Sequence, residues 1–166
     1  MGTRLLTEQW IKMQYPQLKY VRAHTTGRNA ATLYAWNEDL ELPEADAAEL
    51  KRFASSGLTS FICFRVKAYS KLREDRVPGN DELPERIARA AVDRELNPDG
   101  VVAVMNGMMD SGTLAFRRYD YCTGTLHFEV HADKAVTAAE KELAHRYLSE
   151  MIPLGTFCEL AYRLQD

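Results

Sequence analysis

The chain has 166 residues, of which 46% are hydrophobic and 27% charged, with nine Gly and six Pro. This composition excludes a disordered tail, a collagen-like rod and a Pro-rich scaffold, and the length predicts a single globular domain over residues 1–166. The formal net charge is −3, from 21 Lys and Arg against 24 Asp and Glu. Because dedicated duplex-binding domains carry a basic excess, we expect no nucleic-acid partner.

The N-terminal segment MGTRLLTEQWIKMQYP contains no apolar run of signal-peptide length. No stretch of the sequence approaches the roughly 20 apolar residues that span a bilayer. The three cysteines, Cys63, Cys122 and Cys158, are far apart and form no CxxC pair. These features predict a cytoplasmic protein with reduced thiols and no membrane partner.

The positions of Pro and Gly and the alternation of apolar and polar residues predict the elements of the first half. In chain order they are a helix at 4–14, strands at 18–23 and 31–36 joined by a polar loop at 24–29, a helix from Pro43 to a cap at Gly57, a strand at 60–69 and an exposed loop at 71–81. The strand at 60–69 places Arg65, Lys67 and Tyr69 on one side, which predicts either an anion-binding groove or a solvated strand end.

The second half predicts five more elements. In chain order they are a helix at 84–96 ended by Asn97-Pro98-Asp99-Gly100, a buried strand at 101–105, a hairpin with arms at 113–121 and 125–131, a helix opened by a capping box at Thr137 and Glu140, and a strand at 157–164. Together the elements predict an α+β fold, in which one mostly antiparallel sheet of six or seven strands packs with about three helices.

Two stretches of the sequence, 32–69 and 125–164, share the order strand, helix, strand. Both open with Thr-Leu, contain Ala-Ala-Glu in the helix, and place a Phe and a Cys in the closing strand. A duplicated β-α-β unit would account for this similarity.

The hairpin carries the most informative polar residues. With a two-residue turn at Thr123-Gly124, Asp120 would face His127, and Arg118 would face Glu129. The alternation places His127, Glu129 and His131 on one side of the strand, opposite a core face of Leu126, Phe128 and Val130.

This polar row supports three interpretations. Imidazole and carboxylate groups suit a divalent ion such as zinc or iron, so His127, Glu129 and His131 are candidate metal ligands. Alternatively, the catalytic candidates are His127 as a general base, Asp120 as the group that orients it, and Glu129, with Arg118 holding an anion. In the third interpretation the row is a solvated sheet face with ion pairs.

Two segments are similar to known families over part of the chain. Residues 126–162, with LHFEVHAD, HRY, IPLG and CELAY, resemble the C-terminal half of the staygreen family, whose plant members remove magnesium from chlorophyll. Tyr20 and His24 are similar to that family's Y-T-L-T-H-S-D block, with Thr26 in place of its Asp. The last predicted helix with TFCELAY resembles the end of gyrase-inhibitor-like effector-binding domains, which bind small amphipathic ligands in a groove containing a Glu; Glu159 would be its counterpart.

These observations predict a domain that binds a small anionic or amphipathic molecule in a groove beside the sheet. The candidate ligand-binding residues are Arg118, His131, His24 and Arg28. The first alternative is a small metal- or His-dependent enzyme that uses the polar row and is at most distantly staygreen-like. The second alternative is a protein–protein interaction module, such as an inhibitor or immunity protein. Edge strands of such a sheet can also pair between copies, which fits a homodimer.

Overall fold

The computed structural model describes residues 2–58, 61–79 and 82–165. The chain divides into two compact units, which we call the first and the second unit. The first unit comprises Met1–Glu82 with Pro153–Gly155, and the second comprises Leu83–Ile152 with Thr156–Asp166. No helix in the described ranges is long and apolar enough to cross a membrane.

The described residues of the first unit form three α-helices and one three-stranded sheet. Its elements are α1 (Arg4–Gln14), β1 (Leu18–Gly27), β2 (Ala30–Asn37), α2 (Glu44–Phe53), β3 (Cys63–Ala68) and α3 (Lys71–Glu74). A π-helical turn at Ala54–Leu58 prolongs α2. The central strand β2 pairs antiparallel with β1 and parallel with β3, so the sheet is mixed.

Local capping and one apolar sheet face explain how the first unit forms. The Thr3 hydroxyl accepts a hydrogen bond from the Leu6 N–H at 3.2 Å and so caps α1. The core lies on one side of the sheet, because alternate strand residues are apolar and pack with the two longer helices. Its fully buried members include Ile11, Ala23, Leu33, Ala35, Leu50 and Ala54.

The second unit also has three helices and a three-stranded mixed sheet. Its elements are α4 (Glu85–Ala91), α5 (Pro98–Asn106), β4 (Gly112–Asp120), β5 (Thr125–Ala132), α6 (Ala138–Met151) and β6 (Phe157–Leu164). The central strand β5 pairs antiparallel with β4 and parallel with β6. The predicted capping box is confirmed, since Thr137 and Glu140 exchange side chain–backbone hydrogen bonds at 3.0 and 3.2 Å.

The α+β class is therefore confirmed, but the prediction of one mostly antiparallel sheet with about three helices is wrong. The described residues form six α-helices and two separate three-stranded mixed sheets. The predicted strand at 101–105 is part of α5. Asn97 accepts a hydrogen bond from the Gly100 N–H at 2.8 Å, and Pro98 occupies the first turn. This motif begins a helix instead of ending one, so three helices separate β3 from β4 along the chain.

Smaller differences concern the predicted loops. Residues 24–27 continue β1 and do not form a loop, and α3 occupies the start of the predicted loop at 71–81. The helix predicted at 84–96 is shorter, since α4 covers Glu85–Ala91. Ser60 and Asp81, at the bounds of two predicted elements, lie outside the described residues.

Candidate functional site

The polar row of the second unit lies on β5, on the side of the sheet opposite the core. Leu126, Phe128 and Val130 are buried, whereas His127, Glu129 and His131 are partly exposed. Strand alternation predicts this arrangement, and the structure shows it.

The predicted hairpin register, however, is wrong. The turn has four residues, 121–124, and is closed by the Gly124 N–H, which donates to the Asp120 carbonyl at 2.8 Å. Gly124 has a φ of +67°, a value that favours glycine. The ladder consequently pairs Arg118 with His127 and Asp120 with Thr125.

Asp120 therefore serves the turn. Its carboxylate accepts the Cys122 N–H at 2.9 Å, and this bond is the main reason that the pKa of Asp120 lies below its ordinary value. Arg118 lies opposite His127, but its side chain is 65% exposed, and its contact with the Asp120 carboxylate is 4.0 Å long. The structure thus does not place Asp120 directly opposite His127, and Arg118 does not face Glu129.

A β-bulge between Phe116 and Arg118 brings in an arginine that the sequence reasoning missed. Arg117 donates to Glu129 Oε1 at 3.0 Å and also lies 3.0 Å from His131 Nε2. The signal was the run Phe-Arg-Arg-Tyr, because two adjacent polar residues between aromatic ones break strand alternation as a bulge does.

Glu129 is the centre of this network. Arg163 Nε lies 3.3 Å from Glu129 Oε2, and His131 Nε2 lies 2.8 Å from Glu129 Oε1. The hydrogen bonds from Arg117 and then from Arg163 lower the pKa of Glu129, so this carboxylate is ionised and accepts only.

The remaining imidazole of the row has a looser partner. His127 Nδ1 lies 3.5 Å from Glu159 Oε2, and the Glu159 side chain is largely exposed. Among the residues that the structure describes, no group of three or more His, Cys, Asp or Glu side chains could hold a metal ion. The geometry of this face therefore favours ion pairing, and its catalytic and metal roles stay predictions.

The first unit has a second polar sheet face, which we call the β1–β3 polar face. The strand pairing places three residues of β1, three of β2 and two of β3 side by side on the face opposite the core. They are Tyr20, Arg22 and His24 on β1, Thr32, Tyr34 and Trp36 on β2, and Arg65 and Lys67 on β3, followed by Tyr69 just after that strand.

The middle of this face is buried despite its polarity. Arg22, Thr32 and Tyr34 are only 5%, 2% and 1% exposed. Buried polar groups need hydrogen-bond partners, so the packing around them is informative.

The segment 70–78, which we call the strap, supplies partners for these groups. The Tyr34 hydroxyl donates to Asp75 Oδ2 at 2.6 Å, and Lys67 Nζ donates to the same oxygen at 2.8 Å. Arg22 donates to the Pro78 carbonyl at 3.0 Å. The hydrogen bonds from Lys67 and Tyr34 lower the pKa of Asp75, while burial and then the Asp75 carboxylate raise the pKa of Tyr34.

A carboxylate also covers the edge of β1. Glu8 Oε1 accepts the Ala23 N–H at 2.9 Å, and both Glu8 oxygens accept from Arg4 at 3.0 Å. Burial raises the pKa of Glu8 against the opposing effect of Arg4. Because Glu8 occupies an edge amide of the strand, it blocks this position for pairing with another chain.

His24, predicted as a ligand contact, lies on the β1–β3 polar face. Burial, followed by the charges of Arg22 and Arg4, lowers its pKa, so His24 is a neutral imidazole at neutral pH. Arg28 lies in the exposed turn between β1 and β2, beyond the paired residues of this face.

Sequence reasoning did not single out Arg22, Tyr34 or Asp75. The run Ala31-Thr-Leu-Tyr-Ala35 is buried throughout, so polar and core positions of β2 are not distinguished by alternation.

Comparison with known proteins identifies no relative of this chain. No protein-family model, curated protein or solved structure matches this chain significantly. The two partial resemblances therefore rest only on the residues quoted for them, and function must be argued from the two polar faces.

Proposed function

We propose that the protein binds a small anionic ligand on the β1–β3 polar face. The described strands contribute three cationic side chains to this face, Arg22, Arg65 and Lys67, and no carboxylate. A surface of one charge sign with buried hydrogen-bond donors is suited to an anion.

The coordination of Asp75 is the observation that carries the proposal. One oxygen of this carboxylate accepts from both the Tyr34 hydroxyl and Lys67 Nζ, at 2.6 and 2.8 Å. Asp75 belongs to the strap and not to the sheet, so it occupies the position that an external carboxylate or phosphate oxygen would take. Tyr34 is shielded from water, and charge-assisted hydrogen bonds are stronger in such surroundings.

In this proposal Asp75 is an internal competitor of the ligand. An incoming anion accepts the hydrogen bonds of Tyr34 and Lys67, and the strap carboxylate moves into water. The ion pair between Asp75 and Lys67 is already partly exposed to water. The release of Asp75 therefore exposes a charged group that water solvates well.

The network around Glu129 supports an anion site less well. Arg117 and Arg163 are both within 3.3 Å of the Glu129 carboxylate, which belongs to the sheet itself and lies between them. An external anion there would have to compete with a carboxylate fixed on the central strand.

An NMR titration with inorganic phosphate and with acetate, at constant ionic strength, tests the proposal. Amide shifts should appear in β1–β3 and the strap. Lys67→Gln should weaken binding about tenfold, the equivalent of one charge-assisted hydrogen bond, and Asp75→Asn should strengthen it by removing the competing charge.

Arg118→Gln distinguishes the two faces, because it alters the candidate contact of the second unit. Binding that is lost in Arg118→Gln and unchanged in Lys67→Gln would overturn the proposal. Shifts confined to β4–β6 would do the same.

A further inference from the structure

Three aromatic side chains from neighbouring positions of the sheet, Tyr20, Trp36 and Tyr69, are in mutual contact at one end of the β1–β3 polar face; we call them the aromatic row. The ring centroids of Tyr20 and Trp36 are 6.4 Å apart, those of Trp36 and Tyr69 are 5.3 Å apart, and those of Tyr20 and Tyr69 are 5.9 Å apart. These separations are typical of rings in contact. The rings are tilted to one another by 88°, 40° and 54° in the same order, so they form a closed cluster with no space between the rings for a cation, and not an aromatic cage.

The aromatic row is accessible to solvent, whereas the middle of the β1–β3 polar face is buried. Tyr20 is 46% exposed, and Trp36 and Tyr69 are half-buried. A partly exposed aromatic surface is suited to stacking against a planar ring, which covers the exposed aromatic carbon.

The row is in strand register with the proposed anion contacts. Tyr20 precedes Arg22 by two residues, Trp36 follows Tyr34 by two, and Tyr69 follows Lys67 by two. Two residues along a strand correspond to about 7 Å. One ligand can therefore reach both places if its anionic group lies about that far from a planar ring.

We infer that the anionic ligand carries an aromatic ring, and that this ring packs against the aromatic row at Tyr20, its most exposed member. The inference rests on the proposed function, since the aromatic row is in register with the same anion contacts. Nucleoside monophosphates and arylalkanoic acids both have this chemistry: a planar ring, a short spacer and a terminal anion. Aliphatic carboxylates and inorganic phosphate fill only the anion contacts.

Matched pairs of probes test the inference. AMP is compared with ribose 5-phosphate, and 3-phenylpropionate with 3-cyclohexylpropionate, so that each pair differs in the aromatic ring. Stacking on an exposed aromatic side chain should make at least one ring-bearing probe bind about tenfold tighter than its partner. The pair that shows this preference identifies the phosphate or the carboxylate as the source of the anion.

The chain supplies its own reporter. It has two tryptophans, so a Trp10→Phe background leaves Trp36 alone to report on the row by fluorescence. In this background, AMP or 3-phenylpropionate should change Trp36 emission. Tyr20→Leu should lower the ratio of ring-bearing to ring-free affinity toward one, whereas Tyr121→Leu, at a highly exposed tyrosine of the second unit, should not.

Each outcome separates the two proposals. Equal affinities within both pairs, measured on the otherwise unaltered chain, would overturn the inference and leave the anion site standing. Absence of binding by all four probes and by phosphate would overturn the proposed function as well. A preference for the ring that Tyr20→Leu leaves intact would place the stacking elsewhere.

Discussion

The two units have the same connectivity but treat their polar sheet faces in opposite ways. In each, a β-β-α-β order pairs the central strand antiparallel with the preceding strand and parallel with the last. In the first unit the central strand buries Thr32 and Tyr34 on its polar side, whereas in the second the corresponding side carries partly exposed His127 and Glu129.

The difference comes from where the partners of the polar groups originate. In the first unit the strap, which follows β3, supplies Asp75 and the Pro78 carbonyl to Tyr34 and Arg22. In the second unit the partners of Glu129 belong to the sheet itself: His131 of the same strand and two exposed arginines of the neighbouring strands. The order of strands and helices thus determines which face of each sheet packs on the helices. Whether a segment such as the strap covers the other face determines whether that face is exposed to water.

The largest expected effect concerns the buried guanidinium. Arg22→Met should lower the free energy of unfolding by about 3 kcal/mol, because it removes a buried charge from beside the buried Glu8 carboxylate. Arg118→Met in the second unit should change it by less than about 0.5 kcal/mol, since that side chain is mostly exposed. Both tryptophans lie in the first unit, so urea unfolding followed by fluorescence reports on that unit, whereas circular dichroism reports on the helices and strands of both units.

Equal changes in the free energy of unfolding in Arg22→Met and Arg118→Met would contradict the contrast between a buried and a solvent-exposed polar face. The m-value should stay unchanged in Arg22→Met, because a change would indicate that the variant altered the compactness of a state and not only its stability.

Elements with strong local signals could be predicted from the sequence. The helix at 4–14 agrees with α1, the capping box at Thr137 opens α6, and the final strand has the predicted bounds 157–164. Each of these depends on residues close together in the chain. The sheet organisation does not, because the choice of strand partners is non-local, and one misassigned segment, 101–105, altered it.

The candidate sites show the same division. Alternation along β5 is local, so the row of His127, Glu129 and His131 could be predicted. The register of the hairpin was missed because the turn has four residues and not two, and the bulge at Arg117 shifts the pairing once more. The contact between Tyr34 and Asp75 joins residues 41 positions apart, and no local pattern predicts that a charged strap will cover a strand.

A pH experiment sharpens the comparison further. The pKa of His24 is lowered in the folded protein, so between that value and about 6.5 the unfolded state binds more protons. The contribution of His24 to the free energy of unfolding therefore rises with pH through this window and is lost as the pH falls. Glu8 has a raised pKa, so above about pH 4.5 its contribution to the free energy of unfolding falls as the pH rises.

The effect of His24 is isolated as a difference between variants. Unfolding of the first unit in urea is compared between the wild type and His24→Gln from about pH 5 to 7.5. The wild type should lose stability relative to His24→Gln as the pH falls. His127→Gln, at the polar row of the second unit, serves as the matched control. A flat difference for His24→Gln would show that the imidazole is not sheltered.

The smallest expected effect is a difference between the two polar faces in how salt changes their contribution to stability. Exposed arginines hold Glu129, so the stability difference between the wild type and Glu129→Gln should be small and should shrink further in about 0.5 M salt, where charges are screened beyond a few ångströms. The difference between the wild type and Tyr34→Phe should keep its size in the same salt, because the hydroxyl donates to Asp75 where Tyr34 is shielded from water. Circular dichroism in urea measures the first difference and tryptophan fluorescence the second. If salt reduced both equally, the strap would not shelter the β1–β3 polar face, and the anion site proposed there would lose the low-dielectric surroundings on which its strength depends.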